Sequence, residues 1–348
     1  MIVRGAHAKA RLDHVLVTGG AGYIGAHACK VLKARGFVPV AFDNLSTGWR
    51  EAVKYGPFVQ GDLMDRPSLD AAFAAYRPIA VMHFAALSLV NDSMADPGRY
   101  WRINVNGSLN LIEAALRASC TSFVFSSTCA TYGNPDGVVL DEDTPQNPIN
   151  AYGASKLAIE QMLANFANSH GLRAVIFRYF NVAGADPEGE VGEQHRPETH
   201  IIPLVLDAVA GRRDSLTVHG NDYNTPDGTC IRDYVHVMDL AEAHVLGLRH
   251  VLAGESGVFC LGTGTGFSVR DVIAHAEQVT NSRVPIVEGA RRPGDATRLV
   301  SGSARAFVEL GWQPRNSTLS QMIADAWRWS NTPGYDDGEA PIPTSFQR

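Results

Sequence analysis

The sequence contains no apolar run that approaches the roughly 20 residues needed to cross a bilayer, and residues 1–13 lack the apolar segment of a secretory signal. Cysteine is also scarce. The five cysteines are scattered and form no C-x-x-C pair: Cys29, Cys120, Cys129, Cys230 and Cys260. These absences argue against a membrane protein, a disulfide framework and a zinc ribbon, and we expect reduced thiols in a cytoplasmic protein.

An excess of positive charge is missing as well. The 30 lysines and arginines are outnumbered by 36 aspartates and glutamates, which gives a net charge of −6. This balance argues against nucleic acid and against an anionic membrane surface as partners. No internal repeat and no low-complexity tract is present. What remains is 348 residues with an ordinary 45% hydrophobic content, which suits a soluble enzyme with a large α/β domain and a smaller lobe.

The first predicted strand leads directly into a glycine-rich turn. Residues 15–17 are apolar, Gly19, Gly22 and Gly25 follow, and a helical pattern begins at Ile24 and continues to about residue 35. Glycines at this spacing allow a tight turn and a close approach of the backbone to a pyrophosphate, to which the helix N-terminus offers free N–H groups. Surface turns also use glycine, so the interpretation depends on the surrounding elements.

Asp43 supplies the missing context, because it lies about 20 residues downstream, at the end of the second predicted strand. A carboxylate at that position hydrogen-bonds a ribose hydroxyl and repels a 2′-phosphate. We therefore interpret residues 15–43 as a dinucleotide site that favours NAD over NADP, rather than as a plain turn between a strand and a helix.

Short apolar runs alternate with helical patterns through the first half of the chain. The predicted strands are 15–17, 38–42, 58–62, 80–84, 123–126 and 174–179, and the predicted helices are about 24–35, 97–117 and 152–168. Pro39 counts against the second strand if that strand is central. The alternation predicts a Rossmann-like, doubly wound parallel sheet covered by helices on both faces, with ligands at the carboxyl ends of the strands.

The character of the chain changes after residue 180. We predict an NAD-binding Rossmann domain over residues 12–180, to which 236–263 returns, and a smaller mixed α/β substrate lobe over 181–235 and 264–330. Helices are predicted at about 203–210, 237–251, 269–279 and 319–329, with a strand at 258–261. Ser268 is the expected N-cap of the third of these helices, and the two tryptophans of the last helix are expected in a core or an interface.

The strongest catalytic signal is Tyr152-x-x-x-Lys156. These two residues share one face of a helix, where an ammonium next to a phenol lowers the phenol's pKa and produces a general base. Many surface helices carry such a pair, so the motif alone is weak. It gains weight from the dinucleotide turn and from Ser126 and Thr128 at the end of a strand, where a hydroxyl can bond both the tyrosine and a substrate oxygen.

Together, the glycine turn and Tyr152-x-x-x-Lys156 resemble the extended short-chain dehydrogenase/reductase family, and within it the UDP-glucose (UDP-galactose) 4-epimerases. The matching stretches cover nearly the whole chain after residue 13. Besides the glycine turn they are 42–45, 61–63, 83–86, 104–107, 125–127, 178–181, 211–213, 220–223, 227–229 and 232–237, with Arg291, Arg292, Gly294 and Asp295.

The resemblance implies a 4-epimerase of UDP-sugars that keeps its NAD bound. Tyr152 takes the proton of the sugar 4-hydroxyl while C4 gives a hydride to NAD⁺. The 4-keto sugar then turns within the site, and hydride and proton return to the opposite face. Thr128 and Lys156 complete the catalytic set. The resemblance further implies a homodimer, built from the helices at 97–117 and 152–168.

The motif and the resemblance together give two sets of binding residues. The NAD set is Gly19, Gly22, Tyr23, Ile24, Gly25, Asp43, Asn44, Asp62, Leu63, Phe84, Ala85, Ala86, Asn104, Ser126, Tyr152, Lys156 and Tyr179. The substrate set is Thr128, Asn181, His200, Arg232, Arg292, Asp295 and Leu299. An arginine fork suits a pyrophosphate, although single arginines more often form surface ion pairs.

Departures from the family pattern leave alternatives open. Ser88 replaces a lysine near the cofactor, and Leu299 leaves the acceptance of N-acetylated sugars undecided. His200 replaces an asparagine; with His195 and Glu198 it forms no helical zinc motif, so we expect no metal. Residues 127–133 and 196–200 also resemble UDP-xylose/UDP-arabinose 4-epimerases.

Other functions are less favoured. An NDP-sugar 4,6-dehydratase would carry an Asp-Glu pair after Thr128, where this chain has Cys129 and Ala130. Cys129 has no base placed next to it by the sequence, so we expect a buried structural thiol. A cofactor-sensing protein without catalysis would have little need of Tyr152 and Lys156 together.

Overall fold

The computed structural model describes residues 12–135, 139–292, 295–332 and 334–335. Gly294, which belongs to one of the matching stretches, lies outside the described residues. The strands are β1 (His14–Thr18), β2 (Val38–Asp43), β3 (Phe58–Gln60), β4 (Ala80–His83), β5 (Ser122–Ser126), β6 (Arg173–Tyr179), β7 (Asn181–Ala183), β8 (Leu216–His219), β9 (Ile231–His236), β10 (Gly257–Leu261), β11 (Gly266–Ser268), β12 (Ile286–Gly289) and β13 (Arg298–Leu299).

Each predicted helix has a counterpart in the structure. The helices are α1 (Tyr23–Ala34), α2 (Arg66–Tyr76), α3 (Val90–Ala95), α4 (Pro97–Tyr100), α5 (Gly107–Arg117), α6 (Ala151–His170), α7 (Ile201–Val209), α8 (Val237–Leu252), α9 (Val269–Thr280), α10 (Ala304–Leu310) and α11 (Leu319–Ser330), with 3₁₀ turns at Arg50–Ala52 and Cys129–Tyr132. Among them, α2, α3 and α10 are further helices that the sequence analysis did not predict. Within the described ranges, no helix combines the length and the apolar character needed to cross a membrane.

The main sheet has seven parallel strands in the order β10-β6-β5-β4-β1-β2-β3. Its inner strands are buried on both faces, as expected for a parallel sheet between two helical layers. One face packs Val15 and Val17 against α1 and α8, and the other packs Leu16 against α2, α5 and α6. The predicted Rossmann-like α/β fold is therefore confirmed.

Pro39 lies in β2 without breaking the sheet. The Val38 N–H donates to the Asp13 carbonyl on the β1 side, and the Ala41 N–H donates to the Pro57 carbonyl on the β3 side. Because successive residues of a strand point their N–H groups to opposite sides, the missing N–H of Pro39 faces the β3 side. Pairing with β3 starts only at Ala41, so no ladder bond is lost.

The helix predicted over 97–117 is present but is not uniform. α4 and α5 are joined by a π-helical segment, Trp101–Asn106, instead of a regular α-helix. Such wide turns occur frequently at functional sites, and this one carries Asn104. The periodicity of the sequence indicated the helix but could not reveal the local change in its pitch.

The remaining strands form smaller sheets. β9 pairs with β7, β11 and β13, and β8 pairs with β12; the helices α7, α9 and α11 share one core beside them. β10 lies at the edge of the main sheet beside β6. The division of the chain into two lobes at the boundaries given above stays a prediction.

Local predictions about single residues also agree with the structure. Ser268 caps α9 in a capping box with Asp271. Trp329 is buried next to Val191 and Tyr335, and Trp327 packs against the core shared by α7, α9 and α11. All five cysteines are buried free thiols.

Candidate active site

The predicted cofactor residues follow the carboxyl ends of adjacent parallel strands. The glycine turn follows β1, and the other strand-end residues are Asp43 and Asn44 (β2), Asp62 and Leu63 (after β3), Phe84, Ala85 and Ala86 (after β4), Ser126 (β5) and Tyr179 (β6). Parallel strands place these ends along one edge of the sheet. The structure therefore brings residues from across the first half of the chain to one edge.

The glycine turn between β1 and α1 admits no side chain at two positions. Gly19 has a φ of +73°, and a Cβ on it would lie 2.7 Å from the Ala85 backbone nitrogen. A Cβ on Gly25 would lie 2.1 Å from the Gly19 carbonyl oxygen. Because both contacts are with backbone atoms, the neighbours cannot move aside. The glycines are required for the turn to pack against the end of β4 and the start of α1.

The first turn of α1 is open to an anion. Gly22 is its N-cap and makes no side-chain capping bond, and no acidic residue lies in the first turn. The backbone N–H groups of residues 23–25 have no partner inside the helix, and they carry the positive end of the helix dipole. A pyrophosphate fits this cradle. The Tyr23 hydroxyl donates instead to the Gly184 carbonyl at 2.6 Å, so of this residue only the backbone is available to a phosphate.

Asp43 closes the other end of the dinucleotide region. Its side chain is buried, and its two oxygens accept the N–H groups of Ala21 at 3.0 Å and Leu45 at 2.8 Å. Burial raises the pKa of the carboxyl, and the backbone hydrogen bonds oppose that rise. Each carboxylate oxygen has a second lone pair, so the bonded Asp43 can still accept ribose hydroxyls. The adjacent Asn44 amide donates to Asp62 at 2.8 Å.

A buried histidine, missed by the sequence analysis as a functional residue, connects β1, β4 and α5 beneath the turn. His83 lies 2.7 Å from the Thr18 hydroxyl through Nδ1 and 2.8 Å from the Ser108 hydroxyl through Nε2. Since Ser108 already donates to the Asn104 carbonyl, His83 carries its proton on Nε2 and accepts from Thr18. Burial lowers the pKa of His83 to about 3, which keeps the ring neutral.

The predicted catalytic residues meet at the end of β5. α6 begins there because Asn150 caps it, accepting the Gly153 N–H at 2.8 Å. This start places Tyr152 in the first turn, where the nearby Thr128 side chain acts to lower the pKa of its phenol. One helical turn later, the Lys156 ammonium donates to the Ser126 carbonyl at 2.8 Å. The i and i+4 residues therefore both face the strand end, as predicted.

Two further predicted cofactor residues reach the same region. The Ser126 hydroxyl hydrogen-bonds the Tyr179 hydroxyl across β5 and β6. The Asn104 amide donates to Ser155 of α6 at 3.1 Å and to the Leu87 carbonyl at 3.0 Å. Asn104 thus joins the π-helical segment to the helix that carries Tyr152.

The electrostatics of the pair differ from the sequence prediction. Burial raises the pKa of Tyr152 above its ordinary value of 10.0, the neighbouring Tyr179 raises it further, and the Thr128 side chain opposes the rise. Burial also lowers the pKa of Lys156 to about 7, against the field of Glu160. The expected acidification of the phenol by the ammonium is therefore wrong for the chain by itself, because burial is the largest influence on the pKa of both groups.

A second network lies directly behind the strand end. Glu160 follows Lys156 by one helical turn, is buried, and accepts hydrogen bonds from Arg178 at 2.7, 3.1 and 3.2 Å and from the Ser127 hydroxyl. Arg178 also donates to the Tyr132 hydroxyl at 3.0 Å. The sequence analysis assigned no role to this pair, although the spacing of Tyr152, Lys156 and Glu160 places all three on one helix face.

The predicted substrate residues fall into two places. Arg232 of β9 pairs with Asp295 at 3.1 Å, and Leu299 of β13 is the register partner of Arg232. Leu299 is buried in one cluster with Cys129, directly after Thr128 in the chain. Asn181 is half-buried at the start of β7, and Arg292 is exposed.

Cys129 has the character of a structural thiol. It is buried, and burial raises the pKa of its thiol to about 12, although the positive charge of Arg232 acts in the opposite direction. A thiol in that state is a poor nucleophile.

His200 lies apart from Arg232 in a different set of contacts. It precedes α7 as the N-cap residue, and its Nδ1 hydrogen-bonds the Glu193 carboxylate. Burial opposes its protonation, but the carboxylates of Glu193 and Glu198 outweigh that effect and raise the pKa of His200 to about 9.

Comparison with known proteins is consistent with this geometry. Residues 15–262 match the model of the NAD dependent epimerase/dehydratase family. The UDP-glucose 4-epimerase of Rhizobium leguminosarum bv. trifolii is 50% identical over 318 residues, which are 91% of this chain and 97% of the relative.

Two solved structures are also similar over most of the chain. The UDP-glucose 4-epimerase of Brucella ovis in complex with NAD has a TM-score of 0.88 at 47% identity and covers 91% of this chain and 98% of its own. The UDP-glucose 4-epimerase of Stenotrophomonas maltophila, with bound NAD and formylated UDP-arabinopyranose, has a TM-score of 0.87 at 38% identity and covers 91% and 97%. On these matches and this fold, the chain belongs to the NAD dependent epimerase/dehydratase family.

Proposed function

We propose that this protein is an NAD-dependent epimerase that interconverts UDP-glucose and UDP-galactose by inverting C4 of the sugar. The observation that carries the proposal is the convergence of Tyr152, Thr128 and Lys156 on the strand edge that also holds the glycine turn and Asp43. The names of the relatives support the same reaction.

Tyr152 accepts the proton of the sugar 4-hydroxyl at its phenol oxygen and later returns it. The nearby Thr128 hydroxyl, which acts to lower the pKa of the phenol, donates a hydrogen bond to that oxygen and stabilises it while it is negatively charged. When bound, NAD supplies the hydride acceptor and a cationic ring whose field favours the phenolate that burial alone disfavours. Lys156 holds the end of β5 through the Ser126 carbonyl and contributes positive charge when protonated.

Residues of the second half of the chain hold the UDP group. Arg232 has a permanent charge and a planar fork of donors, which suits a pyrophosphate. Its side chain is 12% exposed and is oriented by Asp295. Asn181, Arg292, His200 and Leu299 complete the proposed substrate set. A grip on the nucleotide lets the oxidised sugar turn between the two hydride transfers without leaving the site.

We also propose that the protein forms a homodimer. Trp101 and Met94 are large apolar side chains with 43% and 53% exposure, and both belong to the helical region before α5. Burial of such side chains against a second copy would remove apolar surface from water. Sedimentation at the mass of a single chain would contradict this part of the proposal.

A panel of UDP-sugars tests the proposed function. Purified protein is incubated, without added reductant, with UDP-glucose, UDP-galactose, their N-acetylated forms, UDP-xylose and UDP-arabinose, and the products are separated by chromatography. We expect the two hexoses to interconvert fastest. Faster conversion of the pentoses would make the protein a UDP-xylose/UDP-arabinose 4-epimerase, and the absence of any conversion by protein that contains NAD would exclude catalysis.

A further inference from the structure

Four side chains of metal-binding type converge in the segment between β7 and α7. One ring nitrogen each of His195 and His200 and one carboxylate oxygen each of Glu193 and Glu198 all lie within 4.8 Å of one another. The side chains of Glu193 and Glu198 are only 5% and 14% exposed. The group is therefore a partly enclosed set of two nitrogens and two oxygens and not a solvated acidic surface.

One nitrogen of the group lies within ion-pair distance of two carboxylates but makes no hydrogen bond of ordinary length. The Nδ1 atom of His195 is buried and has no hydrogen-bond partner among the described residues. It lies 3.4 Å from an oxygen of Glu193 and 3.4 Å from an oxygen of Glu198, which is beyond the usual range for an N–H···O hydrogen bond. A buried ring nitrogen between two carboxylates, bonded to neither, has the environment of a metal ligand.

The spacing of the four atoms agrees with tetrahedral coordination. Zinc binds histidine nitrogen at about 2.0–2.1 Å and carboxylate oxygen at about 2.0–2.2 Å, so neighbouring ligand atoms of a tetrahedron lie roughly 3.3–3.6 Å apart. Both distances from His195 match this value. The His200 Nδ1 atom lies 3.9 Å from the other oxygen of Glu198, which accepts the backbone N–H groups of Thr199 and His200. Only the direct hydrogen bond between His200 and Glu193 would have to open.

A neighbouring acidic group is neutralised by a lysine of the protein itself. The carboxylates of Asp186, Glu188 and Glu190 also lie close together. The Lys30 ammonium is 2.6, 2.5 and 2.8 Å from them, so a protein cation already neutralises that group. Among the described residues, the ion-pair partners of Glu193 and Glu198 are the two histidines, whose ring nitrogens, unlike a lysine ammonium, can serve as metal ligands.

We propose that Glu193, His195, Glu198 and His200 form a binding site for a divalent cation of the zinc type. These residues lie in irregular chain that leads into α7, so the spacing of a helical zinc motif does not apply to them. The His195 ring is 6.4 Å from the ring of Tyr23 in the first turn of α1. A cation would fasten this segment to the start of α7, next to the glycine turn.

Metal binding by the untagged full-length protein tests the proposal. Protein stripped with a chelator is titrated with ZnCl₂ by calorimetry, and with Co²⁺, whose visible absorption reports tetrahedral coordination. We expect one cation per chain and an intense cobalt spectrum. His195→Ala and the isosteric Glu193→Gln should weaken zinc binding by more than the roughly 10–100-fold that loss of an outer partner costs.

The matched control is His170→Ala, which removes an exposed histidine at the end of α6 and should leave the zinc affinity unchanged. Thermal unfolding curves establish that each variant is folded, and Glu198→Gln replaces any variant that is not. The proposal is overturned if the native protein binds zinc no more tightly than folded His195→Ala or Glu193→Gln. A weak octahedral cobalt spectrum would also contradict it.

Discussion

Removal of the carboxylate charge of Glu160 should strongly destabilise the protein, because this carboxylate is paired with Arg178 in the interior. Glu160 and Arg178 are 6% and 7% exposed and are joined by three hydrogen bonds, and Ser127 donates to the same carboxylate. The Glu160→Gln substitution leaves the guanidinium buried without its counter-charge. Breaking a buried pair in this way costs about 3–5 kcal/mol.

The matched control is an exposed pair on the outer helices. Glu242 and Arg35 are 38% and 48% exposed, and their closest atoms are 2.6 Å apart. Solvent screens such a pair, so Glu242→Gln should cost no more than about 1 kcal/mol. The two variants make the same chemical change, at a buried carboxylate with many hydrogen bonds and at an exposed carboxylate with two.

Urea denaturation followed by circular dichroism measures both costs. A third variant, Glu160→Gln combined with Arg178→Met, removes the unpaired charge as well and should be more stable than Glu160→Gln alone. If Glu160→Gln is as stable as Glu242→Gln, or if the double variant is the least stable of the three, then the pair is not desolvated as the structure indicates.

Three other substitutions test separate parts of the structure. In the folded protein the pKa of Lys156 is about 7, below the ordinary 10.5. The unfolded chain therefore binds more protons between these two pH values, and the free energy of unfolding should rise with pH across that range. In Lys156→Met the rise should be smaller, and equal slopes for the two proteins would contradict the lowered pKa of Lys156. Gly25→Ala would place a Cβ 2.1 Å from the Gly19 carbonyl oxygen, so purified variant protein should contain little NAD; native NAD content would show that the turn adapts. Thr128→Val removes the hydroxyl that we propose stabilises the Tyr152 phenolate and should lower kcat by at least about tenfold, the scale of one charge-assisted hydrogen bond, whereas an unchanged kcat would remove Thr128 from the reaction.

The sheet and its carboxyl edge could be predicted from the sequence because the signals are local. The apolar strands, the glycines near Gly19, and the helical spacing of Tyr152 and Lys156 each depend on residues close together in the chain. General rules on parallel sheets then place these segments at one edge. The part of the candidate site that lies in the first half of the chain can therefore be predicted from short sequence patterns.

Features that depend on long-range contacts could not be predicted in this way. The partner of Glu160 is Arg178 on a later strand, and the Tyr23 hydroxyl bonds a carbonyl 161 residues away. No spacing rule connects such residues. The approach of His195 to His200 likewise depends on the path of irregular chain, for which sequence periodicity gives no information.

The pKa prediction was wrong for a related reason. Spacing indicates that Tyr152 and Lys156 share a helix face, but it does not reveal how deeply that face is buried. Burial is the largest influence on the pKa of both groups. The proposed base therefore depends on the bound dinucleotide and on Thr128 for its reactivity, and not on the lysine alone.

The role of the Tyr152 phenol is the central claim, and Tyr152→Phe tests it most directly. The control is Tyr100→Phe, since the Tyr100 ring is 6.5 Å from that of Tyr152 and its hydroxyl bonds the Leu89 carbonyl instead. With bound NAD quantified in each preparation, the turnover of UDP-galactose is measured at saturating substrate. Tyr152→Phe should retain NAD and lose about 10²–10⁴-fold in kcat, while Tyr100→Phe stays close to the native rate; a near-native rate for Tyr152→Phe would contradict the proposed mechanism.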